Sequence, residues 1–135
     1  MKIIDICREA AKTALRGVAR ALGQPVASAE AEQFIGALSA TSRFAAIRVA
    51  GGMFLAVRCD ASIVNIVLLF SGTKAELGEK PKRCLAAIHA ELTHPDCIVH
   101  AYVKTHMLLK YRTGVNENEF HALQERYARM AHTTS

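Results

Sequence analysis

Apolar positions recur at three- and four-residue spacing through Ile4, Cys7, Ala11, Ala14 or Leu15, Val18 and Leu22, which predicts one buried face of an opening helix. Gly23 stops it and Gln24-Pro25 keeps it stopped. Ser28 is placed to cap a second helix, with Glu30 and Glu32 near its positive dipole end and Phe34, Ile35 and Leu38 on its buried face. The period then changes. Arg43–Val49 and Met53–Cys59 are short apolar runs joined by Gly51-Gly52, a dipeptide suited to the positive φ of a tight hairpin. Asp60-Ala61 makes the next turn. Ser62–Phe70 is apolar on both faces apart from Asn65, the pattern of a central strand or one covered on both sides.

Ser71–Lys80 reads as a polar loop, and Pro81 sits where a helix accepts its first residue. Leu85, Ile88 and Leu92 form that helix's inward face, and His94-Pro95-Asp96 ends it. Cys97–Lys104 and Met107–Arg112 follow as a second hairpin around Thr105-His106. Asn116 and Glu119 are spaced as a capping box for a last helix with the stripe Phe120, Leu123, Tyr127 and Met130. The order α-α-β-β-β-α-β-β-α predicts one α+β domain over 1–135. Its expected sheet has five strands, mainly antiparallel, with helices largely on one face.

Composition narrows the class. Half of the 135 residues are hydrophobic and 21% are charged, which excludes wholesale disorder. Tryptophan is absent, so Ala, Val, Ile and Leu must fill the core. Cys7, Cys59, Cys84 and Cys97 are scattered without a CxxC pair and read as reduced, partly buried thiols of a cytoplasmic protein. Asp5, Arg8 and Glu9 interrupt any signal-peptide core, and Ala61–Phe70, the longest uncharged apolar run, is about half a membrane span.

The net charge of +5 leaves room for an anionic partner. Arg8, Lys12, Arg16 and Arg20 form a basic stripe at a spacing of four, and Lys80, Lys82 and Arg83 cluster at a helix start; either could hold an anion such as a phosphate backbone. A solvated outer face explains the stripe equally well. His94, Asp96, Cys97 and His100 are the densest set of metal-ligand types. Strand alternation nevertheless sends Cys97 and His100 to opposite faces, so no metal site is assigned. Cys84 and His89 are five positions apart on one helix, an awkward separation for a nucleophile and its base. No catalytic residue and no cofactor is assigned.

The segment Leu108-Leu109-Lys110-Tyr111-Arg112-Thr113, a hydrophobic run ending in Tyr-Arg before a polar turn, is similar to the last strand of type III secretion chaperones and the related bacterial sensory-transduction-regulator family. The order of elements resembles theirs as well. The resemblance implies a dimer-forming, non-enzymatic binder that presents apolar surface and strand edges to an extended segment of another protein. The expected function is therefore a protein-binding adaptor or chaperone-like homodimer. Phe44, Arg48, Phe54 and Arg58 are its candidate contact surface, mixing aromatic anchors with arginine. The alternatives are a nucleic-acid binder using the basic stripe and a small metal-dependent enzyme using the turn at His94–His100.

Overall fold

The computed structural model describes residues 2–49 and 53–104, together with Asn118 and Ala122. Two helices, α1 (Ile3–Leu22) and α2 (Ser28–Gly36), precede three strands, β1 (Phe44–Val49), β2 (Met53–Asp60) and β3 (Ile63–Ser71). A short α3 (Lys74–Leu77) and a longer α4 (Lys80–Glu91) then lead into β4 (Cys97–Lys104). The class is α+β, with a four-stranded mixed sheet in the order β1-β2-β3-β4. The expected fifth strand, the last helix and the glycines at Gly51-Gly52 fall outside the described residues.

β1, β2 and β3 form an antiparallel meander, with Val49 opposite Met53 and Asp60 opposite Ile63. The turn between β2 and β3 carries a left-handed Ala61 at φ 48°. β3 lies between two neighbours, as its two-sided apolar pattern requires. Its pairing with β4 is parallel, from Val64↔Cys97 to Ser71↔Lys104, and this departs from the mainly antiparallel expectation. The physical reason is the connection: residues 72–96 carry the chain along α4 back to the starting end of β3, which only a parallel partner can use.

Two local expectations need correcting. Ser28 is the first residue of α2 and not its cap; Ala27 holds that position and no side chain caps the helix. The loop at Ser71–Lys80 contains α3, whose Thr73 hydroxyl accepts from the Glu76 N–H while the Glu76 carboxylate accepts from the Thr73 N–H. That reciprocal pair is a capping box. It also holds the Glu76 carboxyl below its ordinary pKa. Pro81, by contrast, lies in the first turn of α4, where its missing N–H costs nothing.

The main core lies on one face of the sheet. Ala45, Ile47, Val49, Leu55, Val57, Ile66, Leu68, Phe70, Val99 and Ala101 pack there against Cys7, Ala11, Ala14, Val18, Phe34, Leu38, Leu85 and Ile88 from α1, α2 and α4. Gly17 explains how α1 and α4 come so close. A Cβ there would lie 3.0 Å from Ile88 Cγ1 and 3.1 Å from the Ile88 backbone nitrogen. The glycine inside the helix thus gives up about 1 kcal/mol of propensity for a close interhelical approach. The opposite face carries a smaller buried cluster, Phe54, Ala56, Val67, Leu69 and Tyr102, with Phe44 and Ala46 packed on its margin. No residue of α1, α2, α3 or α4 belongs to it.

Candidate functional site

The second sheet face holds the residues with the most varied chemistry. Alternation along β1 and β2 places Phe44, Ala46, Arg48, Phe54, Ala56 and Arg58 on it, and the register sets Phe44 opposite Arg58 and Arg48 opposite Phe54. The four candidate contact residues are therefore adjacent. Their exposure is unequal: Phe54 is wholly buried, while Phe44, Arg48 and Arg58 are half-buried. Phe54, expected as a contact residue, is instead part of a buried floor together with Tyr102. Val67 and Leu69 of β3 flank them and are buried as well.

At the β2–β3 end of this face, Arg58 Nε donates to Asp60 Oδ1 at 3.0 Å and Asn65 Nδ2 donates to Asp60 Oδ2 at 3.1 Å. The polar interruption in the apolar β3 run thus helps to fix an arginine. On β4, His100 stacks on Tyr102 with ring centroids 6.3 Å apart. Burial holds the His100 imidazole below its ordinary pKa, and its buried Nδ1 has no hydrogen-bond partner among the described residues. β1 borders the face and is an outer strand of the described sheet.

The basic stripe on α1 is tied to its own surroundings. Arg8 Nε donates to the Leu38 carbonyl at 2.9 Å, joining α1 to the end of α2. Lys12 pairs with Glu9 at 3.2 Å, Arg16 Nη2 donates to Thr13 Oγ1 at 3.4 Å, and Arg20 pairs with Glu91 at 3.1 Å. Lys82 lies 3.9 Å from Glu79 at the start of α4, with Lys80 and Arg83 beside it in sequence. The two basic clusters occupy different helices.

The histidine turn does not converge. Asp96 N–H donates to His94 Nδ1, and the Asp96 carboxylate lies 3.8 Å from that nitrogen. Cys97 packs toward the helix-side core, whereas His100 stacks on the other face, as strand parity requires. Cys84 is buried and His89 exposed, so these two do not form a nucleophile and base. Among the described residues, no group of three His, Cys, Asp or Glu could hold a metal ion.

One juxtaposition escaped sequence reasoning. Cys7 from α1 and Cys59 from β2 lie beside each other, with Cys97 of β4 near both. Cys59 Sγ also reaches the Ile3 carbonyl at 3.8 Å. Burial, then the neighbouring Cys59, raises the Cys7 pKa far above the ordinary thiol range. Burial raises Cys97 too, with Asp96 adding to it, and pushes Cys84 up to about 11. Burial of this kind disfavours the thiolate that nucleophilic attack or metal binding needs.

Comparison of the chain with protein-family models, curated proteins and solved structures gives no match.

Proposed function

We propose that this chain is a non-enzymatic protein-binding adaptor or chaperone-like module that takes an extended segment of another protein at the sheet face carrying Phe44, Arg48 and Arg58. The observation that carries the reading is the half-buried rim of Phe44, Arg48 and Arg58 beside an outer strand. The segment would draw its specificity from side chains meeting that rim, where aromatic and arginine groups stand together. Phe54 is the floor beneath the rim, not a contact. The homodimer and the bacterial setting are what the resemblance to type III secretion chaperones implies, and the cytoplasmic location rests on reading the four scattered cysteines as reduced thiols.

The test is a nuclease-treated pull-down with the tagged full-length chain, run beside the double variant Phe44→Ala, Arg48→Glu. A protein partner kept by the wild type after nuclease, and bound about tenfold more weakly by the variant, supports the reading. Partners that vanish with nuclease, leaving wild type and variant alike, replace it with nucleic-acid binding by the basic clusters. That mode would also weaken steeply with salt.

A further inference from the structure

We infer that Cys7 of α1 and Cys59 of β2 are a disulfide-forming pair, which a hydroperoxide joins to tie the start of α1 to the sheet. Cys59 Sγ lies 3.8 Å from the Ile3 carbonyl. In an α-helix that carbonyl accepts from the N–H four residues on, which is that of Cys7. A helical side chain leans toward the N-terminus and covers the turn before its own Cα. The Cys7 side chain therefore leans over the turn at which the Cys59 sulfur stands. Both residues belong to the helix-side core, at 0% and 4% exposure. Ala10, Ala11 and Ala14 share that core on α1, and their short side chains let the helix lie close to the strands.

The register sets the third thiol apart. Val64 is the partner of Cys59 on one side and of Cys97 on the other, so these two cysteines lie in one row, two strands apart. Two strand spacings come to about 9.5 Å between their Cα atoms. A disulfide spans at most about 7 Å without backbone movement. Cys7, arriving from above the row, is the thiol placed to meet Cys59.

The bond forms by a two-electron oxidation. One thiolate attacks the hydroperoxide, the O–O bond breaks, and a sulfenic acid forms as water or an alcohol leaves. The second thiol attacks that sulfur, the S–O bond breaks, and water leaves as the S–S bond closes. With hydrogen peroxide, two thiols and one peroxide give one disulfide and two waters. Burial slows the first step while α1 is closed, because it keeps Cys7 protonated. Opening of the first turn supplies the access. Lys2 gives that turn no side-chain cap, so it is held less firmly than the rest of the helix. Once made, the bond closes residues 7–59 into one loop and removes freedom from the unfolded chain. The adaptor reading is untouched by it, since both cysteines face the helix side of the sheet and the rim lies on the other.

Peptide mapping of the full-length wild-type chain tests the pair. The reduced chain is treated with hydrogen peroxide, blocked with iodoacetamide and cut with trypsin. The expected product from monomeric protein is residues 3–8 linked to residues 59–74. Its urea midpoint should rise by about 1 M and return on reduction. Cys97→Ser should keep both results, and Cys59→Ser should lose both. The pairing is overturned if the main linkage runs through residues 84–104 or between molecules, or if Cys7 and Cys59 reach the sulfinic acid unlinked. It is overturned too if the folded chain stays unlinked at a peroxide concentration that bridges the urea-unfolded one. A linked chain whose midpoint is unchanged or lower shows a strained bridge and overturns the tie.

Discussion

Leu68 and Leu69 are neighbours in β3, and both are wholly buried, yet they belong to different interiors. Leu68 faces three helices whose apolar stripes are among the best-marked features of the chain. Leu69 faces a cluster of five buried residues, with arginines on its margin and a histidine stacked on one of its aromatics. Equal burial thus conceals unequal support. The helix face is held by several elements packed on one another as well as on the sheet. Among the described elements the second face has none of those helices, and it carries His100, whose charge can change. Local stability in a fold follows this kind of redundancy.

The largest expected effect separates the two leucines directly. Leu68→Ala should cost about 4 kcal/mol, near the upper end for a leucine truncated in a core that cannot collapse. Leu69→Ala should cost about 2 kcal/mol, because among the described residues fewer elements hold its cluster and the site can settle more readily. Urea unfolding of both variants, with unchanged denaturant slopes, checks this. Equal losses would show that the second face is packed as rigidly as the first and would remove the contrast.

A smaller effect sharpens the account of the helix face. Gly17→Ala gains about 1 kcal/mol of helix propensity, but its methyl would press on the Ile88 backbone at 3.1 Å. Overpacking against backbone costs about 1–3 kcal/mol, so a net loss of about 1 kcal/mol is expected. Gly36→Ala should move the other way by less, about 0.5 kcal/mol, since nothing lies within 4 Å of its added carbon but the residue is the last of α2. Thermal midpoints of the two variants should shift in opposite directions. A stabilising Gly17→Ala would show that α4 can back away and that the interhelical contact is loose.

Those two glycines show where legibility ends. Both stand out in the sequence as helix-interior glycines, but which one admits a neighbouring backbone depends on a residue 71 positions away, Ile88. Periodicity located α1, the three-strand meander and α4 because each is a local pattern of apolar spacing. The parallel partnership of β3 and β4 was not legible, since nothing in either strand names its neighbour. The same limit hid the meeting of Cys7, Cys59 and Cys97, which three separate elements bring together. At the candidate site, alternation correctly grouped Phe44, Arg48, Phe54 and Arg58 on one face. It could not report that Phe54 is closed over, because burial depends on what else arrives there. The capping box at Thr73–Glu76 was legible, and reading the stretch as polar loop passed it over.

The smallest expected effect tests whether the second face yields first. Burial lowers the folded-state pKa of His100 below its ordinary value of 6.5, so the unfolded chain takes up that proton more readily than the folded one. Stability from this group is therefore constant well above pH 6.5. It falls as pH drops through the unfolded value, and the loss ends below the depressed folded value. The sign is opposite to that of a histidine gaining a carboxylate partner. Urea midpoints at pH 7.5 and pH 5.5 should differ less in His100→Gln than in the wild type, because glutamine carries no proton across that interval. Hydrogen exchange at pH 5.5 should quicken in β4 before it does in α1. If the pH dependence is the same in both chains, His100 is protonated without strain and the second face owes nothing to its neutrality. If α1 opens together with β4, the two faces unfold as one unit, and the unequal support read from Leu68 and Leu69 has no energetic counterpart near neutral pH.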